Sequence, residues 1–155
     1  MSSPRFSRVL FVCTGNICRS PAAHAVVEAA LGRAGRGDVV VDSAGTGDWH
    51  AGELPDARAR AEGARRGLAL THPARRVVAA DFAAGTLVVA MDQGHHRALA
   101  RMAPGFADLV LFRDFDPARS GPADVEDPYY GGSDGFADMF DVIERCVPAL
   151  LARIG

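Results

Sequence analysis

Cys13-Thr14-Gly15-Asn16-Ile17-Cys18-Arg19-Ser20 sets a thiol and a guanidinium with five residues between them in a small, largely polar run. The run follows the apolar Val9-Leu10-Phe11-Val12 and leads into Pro21-Ala22-Ala23, which reads as a helix start. A strand, a tight loop and a helix N-terminus therefore converge on one sulfur. Such a loop can turn its backbone N–H groups around an anion, and the helix end favours negative charge there. The same field favours thiolate over thiol, so Cys13 is the expected nucleophile. Arg19 offers a planar fork of donors for two phosphate oxygens. A nucleophile inside an oxyanion cradle is what phosphoryl transfer to sulfur requires.

The elements that must position this loop alternate along the chain. Arg8–Val12 reads as a short buried strand, and Pro21–Gly32 as a helix with proline in its first turn. Val39-Val40-Val41 is β-branched and precedes a glycine-rich stretch over Ser43–Gly52. Pro55–Arg66 reads as a helix stopped by Gly67. Thr86–Met91 is the third strand, Gln93–Met102 the third helix, and Asp108–Phe112 the fourth strand. A polar segment, Arg113–Asp134, precedes a last helix over Gly135–Ile154, which Pro148 should kink or break near its end. The pattern predicts an α/β three-layer sandwich with a central four-stranded parallel sheet. The phosphate-binding loop then lies after the first strand, at the carboxyl edge where such sheets bind ligands.

Length and composition agree with this reading. The 155 residues suffice for one domain spanning 1–155, and 48% apolar content is ordinary for a globular chain. A net charge of −2 gives no footprint for nucleic acid. All 17 basic residues are arginine, which fits a GC-rich, bacterial coding bias. No stretch reaches the roughly 20 apolar residues of a membrane span, and none reads as an export signal. Three cysteines then suggest free thiols in the cytoplasm.

Cys13–Pro21, with the later Asp127-Pro128-Tyr129-Tyr130-Gly131-Gly132, resembles the two signatures of the low-molecular-weight protein tyrosine phosphatases. The match in order and spacing covers essentially the whole chain. The resemblance implies hydrolysis of phosphotyrosine through a cysteinyl-phosphate on Cys13. It assigns oxyanion binding to Arg19 and the backbone N–H groups of residues 14 to 19, that is Thr14, Gly15, Asn16, Ile17, Cys18 and Arg19. Asp127 becomes the general acid and then the general base. Ser20 should donate to the Cys13 sulfur, and Asn16, Ser43 and His72 should form a supporting network. Trp49 and Tyr129 should wall the slot for the aromatic ring, with Tyr130 at the rim. Asn16 is expected in a left-handed backbone conformation, which Asn tolerates. Neither metal nor cofactor is implied. The expected partners are phosphotyrosine-containing proteins, a tyrosine kinase among them, with phosphate or vanadate as site ligands and neither nucleic acid nor membrane.

Other residues carry plainer expectations. Cys18 has two readings: a small packed side chain or, by resemblance, a trap for oxidised Cys13. Cys146 lies on the apolar face of the last helix and reads as core. His24 reads as an ordinary helix residue. Adjacent histidines project to different sides of a helix, so His95 and His96 read as surface rather than ligands. The resembled family often has Asn a few residues after the acid at Asp92, whereas this chain reads Gln93-Gly94-His95-His96. Asp92 itself is expected to hydrogen-bond rather than catalyse. Arg58, Arg60, Arg65 and Arg66 read as a solvated face.

Three alternative functions compete. Arsenate reduction needs two further clustered cysteines, and outside the loop only Cys146 remains. Protein arginine phosphatases resemble this chain but carry Thr where Ile17 stands, and an apolar branch there suits an aromatic ester better. A phosphate-binding module without turnover would lack the nucleophile, the arginine or the acid, and all three are present.

Overall fold

A computed structural model describes residues 5–129, 131–132 and 134–155. Four strands, β1 (Arg8–Cys13), β2 (Val40–Gly45), β3 (Thr86–Ala90) and β4 (Leu109–Leu111), form one parallel sheet in the order β2-β1-β3-β4. Helices α1 (Arg19–Arg33), α2 (Ala57–Arg65), α3 (Gln93–Met102) and α4 (Gly135–Ile154) fill the connections and the C-terminus. No described helix is long and apolar enough to cross a membrane.

The strict alternation of β1 builds two cores from one strand. Val9, Phe11 and Cys13 pack with Leu87, Val89 and Met91 against α1 and α4, where Val27, Phe140, Ile143 and Leu150 are fully or nearly fully buried. Leu10 and Val12 face the other way, with Ala44, Val88, Ala90 and the α3 residue Leu99. Both faces of the sheet are therefore covered, which explains why its central strands read as unbroken apolar runs.

The boundaries differ from expectation where they touch the loop. Helix α1 begins at Arg19, two residues before the predicted Pro21, so Arg19 and Ser20 belong to its first turn. Proline at the third helical position is tolerated because the first N–H groups have no intrahelical acceptor. Strand β2 runs on through Gly45, into the stretch predicted as glycine-rich loop, because it pairs residue for residue with β1 from Arg8↔Val40 to Cys13↔Gly45. Gly45 is required there: a Cβ would lie 2.6 Å from the Thr14 carbonyl oxygen. Helix α2 is shorter than predicted at both ends, starting after the Asp56 cap. Strand β4 is shorter too, and Phe112 opens a 3-10 turn, Phe112–Phe115. Helix α4 runs to Ile154 straight through Pro148 with no break, since buried Cys146, Leu150 and Ile154 hold both sides of the proline against the core.

Candidate active site

The Cys13 loop leaves the centre of the sheet and enters α1. Cys13 is the last residue of β1, and its side chain is nearly buried at the base of a cleft of about 280 Å³. Thr14, Gly15, Ile17, Cys18, Arg19, Trp49, His50, Asp127 and Tyr129 complete the lining. Residues predicted from segments over a hundred positions apart thus meet around one sulfur.

The loop is held from below. Asn16 adopts φ 56°, the left-handed conformation expected of it, and is fully buried. Its amide Nδ2 donates to Ser20 Oγ at 2.8 Å, and its Oδ1 accepts from the Arg75 backbone N–H at 3.0 Å. Asn16 therefore lies under the cleft rather than in its lining. Thr46 N–H donates to the Cys13 carbonyl and Gly47 N–H to that of Thr14. None of the backbone N–H groups from Thr14 to Cys18 donates to a backbone carbonyl among the described residues. A run of donors without main-chain acceptors is the raw material of an anion nest.

Ser20 Oγ stands 3.0 Å from Cys13 Sγ. Because Ser20 accepts from Asn16, its own proton can go to the sulfur or to the Ala44 carbonyl at 3.4 Å. Cys18, the N-cap residue of α1, lines the cleft as a free, buried thiol. Burial, reinforced by Asp56, pushes that thiol well above the ordinary cysteine range, so it stays protonated. Cys146 is a free thiol in the core, as expected, with burial raising it to about 12.

Arg19 is buried, and its guanidinium is fixed on one edge. Nη1 donates to Asp92 Oδ2 at 2.9 Å and to the Val125 carbonyl at 3.1 Å. Nη2 lies 3.7 Å from Asp127 Oδ2, whose side chain is 48% exposed. Asp92 thus has the structural role expected of it. It also caps α3, its Oδ1 accepting from the His95 N–H at 2.8 Å. Burial alone would raise this carboxyl, but the His95 N–H and the Arg19 guanidinium outweigh it and hold Asp92 below the usual carboxylate range.

The segment bearing Asp127 is tied to the sheet edge. Val125 N–H donates to the Met91 carbonyl, Gln93 N–H to Asp124 Oδ1, and Arg113 Nη1 to the Asp124 carbonyl. Asp116, in the polar segment, is buried between Arg145 and Arg113, and Arg145 foremost lowers its carboxyl to about 2. That cluster fastens the polar segment onto α4. Tyr129 N–H donates to Asp127 Oδ1 at 3.0 Å, and Arg58 lies 5.2 Å from the Tyr129 ring centroid. Trp49 is largely exposed and folds over Gly47, where a Cβ would overlap its ring. Tyr130 lies outside the described residues.

Three histidine expectations need correction. The predicted Asn16–Ser43–His72 network does not form as such. Ser43 Oγ meets His24 Nδ1 at 3.2 Å, while His72 Nε2 donates to the Ser43 carbonyl at 3.0 Å. His24, expected to be an ordinary helix residue, is therefore the Ser43 partner, because α1 crosses directly over β2. Its imidazole is pushed down from the usual range by burial and by His72, whose ring centroid is 5.1 Å away. Ligand atoms of His24, Asp42 and His72 lie within 4.8 Å of one another. Asp42 Oδ2 already pairs with Arg8 and Arg75, and Oδ1 accepts from Ser43 N–H, so this cluster is charge-compensated without an ion.

His95 is the second residue that the sequence reading misplaced. It is buried, with Nε2 2.7 Å from Thr14 Oγ1. Asp-x-x-His at a helix start was the available signal, since it puts the histidine beside its own cap. His50, unassigned from the sequence, lines the cleft next to Trp49 and pairs with Glu53. Of the arginines in and just after α2, Arg58 pairs with Asp56, and Arg65 and Arg66 pair with Glu62.

The likeness to known proteins extends over the whole framework. The family model described as low molecular weight phosphotyrosine protein phosphatase matches residues 8–155. A low molecular weight protein-tyrosine-phosphatase of Streptomyces coelicolor is 50% identical over 152 residues, covering 95% of this chain and 93% of that one. A protein tyrosine phosphatase crystal structure from Entamoeba histolytica superposes with TM-score 0.89 at 35% identity, over 94% of this chain and 95% of its own. A Drosophila arginine phosphatase superposes with TM-score 0.85 at 31% identity, over 94% and 96% of the two chains. A match of this extent, on a sheet and a cysteine loop of this geometry, makes the chain a member of the low molecular weight phosphotyrosine protein phosphatase family.

Proposed function

We propose that this protein hydrolyses phosphotyrosine in protein substrates through a cysteinyl-phosphate intermediate on Cys13. The observation that carries the reading is the convergence of Cys13, Arg19 and Asp127 on one cleft. The Cys13 thiolate attacks phosphorus in line with the aryl oxygen; the S–P bond forms as the P–O(aryl) bond breaks. The equatorial oxygens are held by the free edge of Arg19 and by the backbone N–H groups of Thr14 to Arg19, in a charge-stabilising cradle. Asp127 gives its proton to the departing phenolate. A water then attacks phosphorus, Asp127 takes its proton, the P–S bond breaks, and orthophosphate leaves. A half-exposed carboxyl beside Arg19 can reach both solvent and the leaving group. Ser20 supports the sulfur, and Asn16 supports the loop through Ser20 and the Arg75 backbone.

Trp49 and Tyr129 wall the slot for an aromatic ring, and Ile17 gives its base an apolar surface. That lining favours phosphotyrosine over phosphoarginine, the phosphoramidate suggested by the Drosophila neighbour. Phosphate and vanadate are site ligands, and a tyrosine kinase is a fitting protein substrate. Three free thiols suit a reducing compartment, in keeping with a bacterial cytoplasm. The test is turnover of phosphotyrosine, phosphoarginine and phosphoserine peptides, with Cys13→Ser as blank. Phosphotyrosine turnover absent from the blank is expected. Preferential phosphoarginine turnover would overturn the substrate assignment, and no turnover at all would leave a phosphate-binding module.

A further inference from the structure

We infer that His95 is a positioning residue for this chemistry: it ties the first residue of the phosphate loop, Thr14, to the carboxylate that anchors Arg19. The inference rests on the phosphatase reading above and adds a residue to it.

Four residues form a circuit around the cleft, its His95–Asp92 hydrogen bond made by the His95 backbone N–H. Thr14 Oγ1 meets His95 Nε2 at 2.7 Å. His95 N–H donates to Asp92 Oδ1 at 2.8 Å, and Asp92 Oδ2 accepts from Arg19 at 2.9 Å. Thr14 is bonded to Cys13 through the backbone, and Thr14 and Arg19 both line the cleft. Shifting His95 therefore disturbs both ends of the loop, the residue after the nucleophile and the clamp that holds Arg19.

The polarity of the circuit follows from its charges. Burial and then the Arg19 charge hold His95 down at about 4, so its ring is neutral near pH 7. Nδ1 is buried, 3.1 Å from Asp92 Oδ1, but off the line that a hydrogen bond needs. A lone pair on Nδ1 would face a carboxylate, so electrostatics place the single ring proton there. Nε2 is then the acceptor and the Thr14 hydroxyl the donor. The hydroxyl proton is directed at His95, which fixes the Thr14 rotamer and the peptide that follows Cys13. Misplacement on the ångström scale costs about 100-fold in rate, so a tether of this kind acts on kcat.

Two replacements separate positioning from packing. His95→Leu fills the space without a nitrogen, and His95→Gln carries an acceptor to about the Nε2 position. With p-nitrophenyl phosphate, His95→Leu should lower kcat about 10-fold and move KM less than about twofold; its inhibition constant for vanadate, a mimic of the transferring group, should rise about 10-fold. His95→Gln should return to within about threefold of wild type. Thr14→Val should match His95→Leu, and the double variant should be no worse than either single one, since both cut the same link. The inference is overturned if His95→Leu keeps kcat within twofold, if Gln fails to rescue it, or if the two losses multiply. Should His95→Leu not fold, Thr14→Val alone carries the test, and wild-type kcat in it is refuting. Should the wild type turn over no phosphoester, calorimetric vanadate affinity decides. A 10-fold loss in Thr14→Val and His95→Leu sustains the tether, and unchanged affinity removes it.

Discussion

Replacing Asp92 by Asn separates the charge that anchors Arg19 from the shape that surrounds it. Asparagine is as good an N-cap as aspartate, so the α3 cap survives. What is lost is the nearer of two negative charges on an arginine that is only 5% exposed. Breaking a fully buried pair costs about 3–5 kcal/mol, whereas an exposed pair is worth about 1 kcal/mol or less. The Asp92 side chain is 26% exposed, and Asn keeps one acceptor, so the loss should be about 2 kcal/mol. For a chain of this length that corresponds to a fall in Tm of roughly 4–8 °C. The pH dependence fixes the cause. Asp92 is depressed in the folded state, so its contribution is present above the unfolded value of about 3.9 and is lost as pH falls through the lowered folded value. Thermal unfolding of both proteins between pH 7 and 3 should therefore show a gap that narrows toward acid. A variant within 1 °C of wild type at pH 7, or a gap that does not change with pH, would refute the reasoning.

Two further outcomes follow from the site and its supports. Asp127→Ala should lower kcat about 100-fold or more for phenols of pKa near 10, and much less for p-nitrophenol, because only the poor leaving group needs the proton; equal losses across a leaving-group series would remove Asp127 from that role. Asp116→Asn should cost about 2 kcal/mol at pH 7, as a carboxyl held at about 2 implies, with the deficit present above about pH 3.9 and fading as pH falls toward 2; denaturant midpoints of the two proteins across that range check it.

Much of this molecule could be read along the chain. Strands of Val, Leu and Phe separated by helix-length segments determine a covered parallel sheet, because apolar runs on both faces demand helices on both faces. Cys13, Arg19 and Ser20 were legible because one short loop supplies them all, and Asn16 because its φ is a local matter. Asp127 was legible only through its neighbours Pro128 and Tyr129, since nothing local distinguishes it from Asp124 or Glu126. The side-chain partners of His24 and His95 were not legible. His95 lies 81 positions from Thr14, and His24 lies 19 from Ser43, and no spacing rule links them. The same holds for Asp116, whose two arginines include one from α4. Periodicity and loop chemistry are properties of neighbouring residues, so the sequence determined the sheet, the nucleophile loop and the kind of reaction. Which polar side chain faces which across the ends of separate strands depends on strand order and register, and the folded sheet alone sets those distances.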